Sequence, residues 1–440
     1  MSKSQTEGRA VPSRRISRLA RFGGLGASVA GNMLADGAAR LAKGERPKLN
    51  ELLLTPKNAS KVADQLSQLR GAAMKVGQLI SMDGGDFVPP ELAEILSKLR
   101  DAAHAMPPAQ LKRVLNENWG RDWLTRFENF DVKPIAAASI GQVHRARTAD
   151  GRDLAIKIQY PGVRQSIDSD VDNAASLLRL SGLTPEGVDI SLLLEEAKTQ
   201  LHQEADYIRE AERLNQFRTF LADDAAFAIP EVHDDLTTRD ILAMSYAPGK
   251  AIESAADAPQ ERRNDIIEKL MGLLLRELFE FKMVQTDPNF ANYRIDKKTG
   301  KIVLLDFGAT RDLPESLSSG YRKLIDAGIR EDWSAIKEAV VSMGLAPRDM
   351  SAEHEQMMRD VFITAMEPMR EDRPFDFADS DVSARLRDEG VKLRTSGFHH
   401  LPPAAAMFIH RKIGGIYLMA AKLKAKVNVH ALTTARLSAD

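Results

Sequence analysis

The pattern of hydrophobic and polar residues changes period along the chain. Over residues 58–99 apolar positions recur at helical spacing, with Val62, Leu66 and Leu69 on one face, and Pro89-Pro90 and Pro107-Pro108 each open a further helix. From Phe127 the period shortens to two. Residues 135–143 form a small-residue loop leading into a strand, and Thr148-Ala149-Asp150-Gly151 is a hairpin turn. Leu154, Ile156 and Ile158 then alternate with Ala155 and Lys157, so this strand turns Lys157 away from its apolar side. A long helix is expected over 193–220, preceded by a helical insert over about 167–182. Residues 240–249 read as a strand running into the Pro248-Gly249 break, and 264–281 as a core helix. Tyr293-Arg294-Ile295 and Lys301-Ile302-Val303-Leu304-Leu305 form a hairpin through the turn at Lys297-Lys298-Thr299-Gly300. Beyond Arg311 the chain is mostly helical to Leu437, with a loop at 373–377 and a late amphipathic helix interrupted at Gly414-Gly415.

Composition narrows what such a chain does. Its 440 residues can hold two to three domain-sized units, and no internal repeat is evident. Basic and acidic residues balance, 61 against 62, which supplies no global basic field and argues against general nucleic-acid binding. Cysteine is absent, so disulfides, cysteine-ligated zinc and thiol catalysis are excluded, and a reducing compartment is allowed. No run of eighteen apolar residues occurs; the nearest, 270–281, is broken by Arg276, Glu277 and Glu280 and reads as a buried helix.

The N-terminal segment admits two pairs of readings. Residues 1–15 carry Arg9, Arg14, Arg15 and several serines, as an organelle transit peptide does, or as a frayed bacterial N-terminus does. Behind Arg18 and Arg21, small residues recur every four positions at Gly23, Ala27 and Gly31, while Asn32 and Asp36 rule against a bilayer span. The stretch is an interfacial helix with basic flanks, or a helix packed on the protein itself.

The chemistry concentrates in two places. Asp287 and Asn292 stand five apart, the Asp-to-Asn spacing of a kinase catalytic loop, and Asp306-Phe307-Gly308 matches the metal-binding Asp-Phe-Gly element of kinases. The hairpin between them puts Asn292 at its entrance and Asp306 at its exit, so both can face one metal pair; hard divalent cations prefer such carboxylate and amide oxygens. Upstream, a loop, strand, turn and strand ending in Ala155-Ile156-Lys157 resemble the kinase nucleotide cradle, with Gly141 and Val143 at the mouth of the first strand. Ala136 and Ala138 occupy the places of the first two loop glycines, and each Cβ crowds the backbone approach to phosphate. Glu210 is the candidate partner of Lys157, although 53 residues separate them. Met244 and Tyr246, before the Pro-Gly break, suit a hinge whose backbone binds a purine.

Four features together resemble the UbiB family of atypical protein-kinase-like proteins, whose eukaryotic and proteobacterial members support ubiquinone (coenzyme Q) biosynthesis. They are Lys75-Val76-Gly77-Gln78, the loop Ala136-Ala137-Ala138-Ser139, Glu204-Ala205-Asp206, and Gln285-Thr286-Asp287 in place of the kinase His-Arg-Asp. The resemblance covers residues 55–430. It implies an α+β, two-lobed protein-kinase-like fold: an N-terminal segment (1–48), a helical Lys-x-Gly-Gln extension (49–126), an N-lobe with a helical insert (127–247) and a mostly helical C-lobe (248–440). It further implies ATP and Mg2+ as cofactors, Asp287, Lys157 and Glu210 as catalytic residues, and Asn292 and Asp306 as metal ligands. The nucleotide would lie against Ala136, Ala137, Ala138, Ser139, Gly141, Val143, Ala155, Lys157, Met244 and Tyr246. Lys75, Gln78, Glu204 and Asp206 take regulatory roles, the Lys-x-Gly-Gln helix lying over the site where a protein substrate would sit. Some relatives carry C-terminal transmembrane helices; this chain ends at Asp440 without one and is expected in the soluble, peripherally membrane-bound branch. The expected partners are a lipid or quinone-precursor ligand, a biosynthetic complex and a second copy in a homodimer. The expected location is the cytoplasm, at the bacterial inner membrane, or alternatively the mitochondrial matrix. A protein kinase with an autoinhibitory N-terminal helix, and a nucleotide-gated scaffold without phosphoryl transfer, stand as alternative functions.

Overall fold

A computed structural model describes residues 105–180, 191–398, 400 and 402–438. The Lys-x-Gly-Gln segment with Lys75 and Gln78, and the small-residue stretch before it, lie outside the described residues. The described chain forms two compact units, one from residues up to 212 together with 231–246, the other from 213–230 and everything from 247 onward.

In the first unit, Pro107-Pro108 starts a helix over Pro108–Trp119 that buries Leu111, Val114, Leu115 and Trp119 along one stripe. Trp119, Trp123, Phe127 and Phe130 form an aromatic cluster with ring centroids 5.1 to 6.2 Å apart. Leu154, Ile156, Ile158, Ile241 and Ala243 pack into the same core. Burial of these large rings stabilises the unit. Trp119 also donates its indole N–H to the Leu236 carbonyl at 2.9 Å, which ties the helix to the chain beside the last strand.

The sheet behind these rings is antiparallel. Its order is Phe127–Phe130, Gly141–Thr148, Asp153–Gln159 and Ile241–Ser245, with Ala136–Ala137 folded back onto the second strand. The register places Lys157 between Val143 and Leu242, and Ala155 between Arg145 and Met244. The period-two pattern sorted the faces of the Asp153–Gln159 strand, but every residue after Asp153 is buried, because the second face is covered as well.

Helices cover that second face, and here the structure corrects the single helix expected over 193–220. Two helices, Ser191–Glu204 and Tyr207–Phe220, meet at a break at Ala205-Asp206. Asp206 caps the second: its Oδ1 accepts from Arg209 N at 3.3 Å and its carbonyl from Glu210 N at 3.1 Å. The carbonyl of Ala205 turns aside to accept from Gln159 Nε2 at 2.7 Å. A buried amide on the Lys157 strand therefore terminates the first helix. The insert runs over Val163–Leu180, starting four residues before the expected position.

The second unit is built on the helix Gln260–Phe279, whose Ile266, Ile267, Leu270, Met271, Leu273, Leu274 and Leu278 are buried. The hairpin pairs Tyr293 with Leu304, Arg294 with Val303 and Ile295 with Ile302. Its turn is closed by Asp296, which accepts from Lys298 N and Thr299 N, and by Gly300 at φ 72°. Met283–Gln285 pairs antiparallel with Thr310–Asp312, so one two-stranded ladder flanks both the Asp287 loop and the Asp306 turn. Helices Glu315–Ile329, Trp333–Ser342, Ala352–Arg370, Val382–Thr395, Ala404–Lys422 and Val429–Leu437 complete the unit.

Two expectations change in this unit. The loop at 373–377 contains a short strand, Phe375–Asp376, paired with Lys426–Val427. The helix Ala404–Lys422 runs unbroken through Gly414-Gly415. A Cβ at Gly415 would overlap the Pro288 ring, so that glycine permits a close approach of helix to loop instead of ending the helix. Among the described residues, no helix is long and apolar enough to cross a membrane.

Candidate active site

In the first unit, Lys157 Nζ lies 2.8 and 2.9 Å from the two oxygens of Glu210. Lys157 is 8% exposed and Glu210 1%, so the pair is held almost out of water. The ammonium also stands 5.1 Å over the ring of Tyr207. The Asp206 cap sets this geometry, because it starts the helix that carries Tyr207 and Glu210 one turn later.

The loop before the second strand is tied by Ile135 N to Val143 O at 2.8 Å and Ala138 N to Gly141 O at 2.9 Å. It leaves Ala136, Ala137 and Ser139 exposed. Ser139 Oγ reaches Glu204 Oε2 at 3.5 Å, the outer limit of a hydrogen bond. Gly141 has a packing reason of its own: a Cβ there would overlap the Ile158 carbonyl of the neighbouring strand. Ala155 and Met244 are buried as a cross-strand pair. Tyr246 lies with its ring 4.2 Å beneath the Arg145 guanidinium.

In the second unit, Asp287 and Asn292 are in direct contact. Asn292 Nδ2 donates to Asp287 Oδ2 and to the Asp287 carbonyl, each at 3.2 Å. Gln285 binds the neighbouring segments together, donating to the carbonyls of Asp287 at 3.0 Å and Asp306 at 3.2 Å. Thr286 Oγ1 donates to the Ala309 carbonyl at 2.7 Å. Asp306 Oδ1 accepts from Gly308 N at 3.0 Å, while Phe307 is buried with its ring 4.9 Å from that of Phe217. With its amide N–H₂ committed to Asp287, the Asn292 carbonyl oxygen is the end available to a cation. An amide oxygen and a carboxylate are hard donors of the kind a magnesium ion takes, so the chemistry of these two residues is compatible with the metal.

Three residues of this cluster carry no motif signal. Arg411 Nη2 donates to Asp287 Oδ1 at 2.8 Å. Lys412 Nζ donates to Gln285 Oε1 and to the Tyr293 hydroxyl, both at 3.1 Å, and lies 3.5 Å from Glu277. Gln285 is suited to this place because an amide accepts from Lys412 at one end and donates to two carbonyls at the other.

Residues 98–340 match the ABC1 atypical kinase-like domain. Over 428 residues the chain is 40% identical to the mitochondrial atypical kinase COQ8 of Saccharomyces cerevisiae, covering 97% of this chain and 85% of that protein. The chain belongs to the ABC1 atypical kinase-like family. It is also 37% identical over 432 residues to the mitochondrial atypical kinase COQ8B of Danio rerio, covering 95% of this chain and 68% of that one. A solved structure of Rv3197 from Mycobacterium tuberculosis, in complex with erythromycin, resembles it in fold with a TM-score of 0.58 at 24% identity, covering 86% of this chain and 95% of that one. The family places the chain among UbiB/COQ8-type atypical kinases, with the α+β, two-lobed kinase-like fold expected from the sequence.

The family match ends at residue 340, so Arg411 and Lys412 lie beyond it. The one sequence signal for them is a run of three polar residues, His410-Arg411-Lys412, inside an otherwise apolar helix. Glu277 shows in the sequence only as a break in an apolar run.

Burial pushes the Glu277 carboxyl up to about 7, against the opposing pull of Lys412. Burial opposes the Lys412 charge, but Glu277 and Tyr293 outweigh it and leave the ammonium above its ordinary value. A carboxyl that keeps its proton to about pH 7 when folded, and only to about pH 4.5 when unfolded, binds more protons in the native state between those limits. Its contribution to stability is therefore complete below about pH 4.5 and is lost as pH rises to about 7, a loss of about 3 kcal/mol. Urea midpoints of wild type and Glu277→Gln, measured across that window, are expected to diverge in slope, with the variant flatter. Parallel curves would show that Glu277 is ionised throughout.

Proposed function

We propose that this chain is an ATP- and magnesium-dependent atypical kinase or ATPase that supports ubiquinone biosynthesis at a membrane surface. The observation that carries the reading is the complete set of chemical groups: a buried Lys157–Glu210 pair, and Asp287, Asn292 and Asp306 drawn together by Gln285. The intact set of Lys157, Asp287, Asn292 and Asp306 favours retained chemistry over a scaffold without phosphoryl transfer.

Each residue has a role that its surroundings suit. Lys157, oriented by Glu210, places a positive charge for the α- and β-phosphates of ATP. The backbone around Met244 and Tyr246 receives the purine. Asn292 and Asp306 would hold magnesium, which screens the phosphate charge. Asp287 orients the acceptor oxygen and accepts its proton as the bond between the γ-phosphorus and the bridging oxygen breaks, releasing ADP, and a new phosphorus–oxygen bond forms. The acceptor is water or the hydroxyl of a small phenol, and a lipid or quinone-precursor ligand meets the protein at the membrane surface. Ala136 and Ala138 hinder backbone contact with phosphate and weigh against an ordinary protein kinase. The relatives named above are mitochondrial by name, the alternative location expected from the sequence. In a bacterial setting the corresponding surface is the inner membrane.

The test is turnover of labelled ATP with liposomes and quinone-precursor-like phenols, followed by identification of the phosphate acceptor. Magnesium-dependent turnover that delivers phosphate to water or to the phenol is expected. Nucleotide binding with no turnover under any condition would favour the scaffold. Ready transfer to a generic peptide would favour a protein kinase.

A further inference from the structure

Before its last residue, Lys422, the helix Ala404–Lys422 carries charged or imidazole side chains at His410-Arg411-Lys412 and at no other position. Successive residues of a helix point about 100° apart, so three polar side chains in a row leave in three directions. Each meets a partner. His410 Nε2 is 3.0 Å from the Tyr321 hydroxyl, Arg411 reaches Asp287, and Lys412 reaches Gln285 and Tyr293. One turn beyond Arg411, on the same face, Gly415 packs against Pro288 with no room for a Cβ. One helix thus touches positions 285, 287 and 288 of the catalytic loop, from a part of the chain outside the family match.

The contact to Asp287 is specific. Asn292 holds Oδ2 and Arg411 holds Oδ1, so the two together fix the carboxylate's rotation. The side chains of Arg411 and Asp287 are 15% and 25% exposed, which limits screening by solvent. Among the described residues, Arg411 Nη1 is buried without a hydrogen-bond partner, a cost that the contact made by Nη2 must offset.

We propose that Arg411 is a positioning residue of the phosphoryl-transfer site, fixing the Asp287 side chain in the orientation that aligns the acceptor oxygen. This rests on the phosphoryl-transfer reading given above. Arg411 acts through Asp287, so it governs the rate of transfer and not the binding of ATP. A guanidinium suits the task because its rigid plane sets the direction of the single Nη2 donor on Oδ1, whereas an ammonium is a point charge with rotatable donors.

The experiment compares wild type, Arg411→Ala, Arg411→Lys and Asp306→Asn in full-length protein. It measures kcat, nucleotide affinity by titration and melting temperature, with and without added ethylguanidinium. Arg411→Ala is expected to lower kcat about a hundredfold, the scale of a misaligned reacting group. Its nucleotide affinity and melting temperature should stay at wild-type values, ethylguanidinium should restore part of the rate, and Arg411→Lys should stay impaired. Wild-type kcat in Arg411→Ala, alongside an inactive Asp306→Asn, overturns the inference and leaves the phosphoryl-transfer reading standing. A joint loss of rate, affinity and melting temperature without rescue makes Arg411 a structural staple and also overturns it. A rise in kcat would make the contact an inhibitory lock. Absence of magnesium-dependent turnover in the wild type overturns both readings.

Discussion

Asp306→Asn is expected to abolish magnesium-dependent nucleotide binding while leaving the fold intact. The substitution keeps an oxygen to accept from Gly308 N, so the turn after Leu305 survives, and it removes only the charge. A ligand at a hundredfold its dissociation constant adds about 2.7 kcal/mol of stability. In units of this size that raises the melting temperature by roughly 5 to 10 °C, a shift that is easily read. In the variant, nucleotide with magnesium should leave the melting temperature where it was. Removing about 4 kcal/mol of charge stabilisation should also slow any turnover about a thousandfold. An unchanged nucleotide-induced shift would remove Asp306 from the metal site.

Glu210→Ala should strongly destabilise the first unit. It removes the carboxylate whose two oxygens both engage the buried Lys157 ammonium. Breaking a buried pair from one side costs about 3 to 5 kcal/mol. At 2 to 4 °C per kcal/mol, the first unit should melt about 10 °C lower. Lys157→Met/Glu210→Leu replaces both charges by apolar groups of similar size and should recover most of that loss. It should not recover nucleotide binding. The contrast separates the two duties of the pair: stability needs only that neither charge be left alone, whereas binding needs the ammonium itself. Wild-type melting in Glu210→Ala would mean that Lys157 finds water or another acceptor.

The helix ends illustrate how far sequence pattern carries. Pro107-Pro108 marked a helix start, and the structure begins that helix at Pro108. The Tyr293–Ile295 and Ile302–Leu304 hairpin lies where alternation and its Gly300 turn put it. The two helices across 191–220 read as one because every residue near Ala205 and Asp206 is compatible with a helix interior. The agent of the break, Gln159, is 46 residues away. Gly414-Gly415 read as an interruption because glycine weakens helices, whereas the nearness of Pro288 is what calls for a glycine at 415.

By itself the sequence determined the switch from helical to strand period at Phe127, the face of the strand that carries Lys157, and the five-residue spacing that brings Asn292 onto Asp287. These are local properties: hydrophobic period, turn chemistry and short spacing act within a few residues, and a reader of the chain has those residues together. Only the tertiary structure decided that Gln285 answers to Lys412 across 127 positions and that Asp287 answers to Arg411 across 124. Contacts at that separation leave no periodic trace. A buried lysine and a half-buried arginine have the same letters as a solvated pair, and only the packing around them removes the water that would otherwise satisfy them.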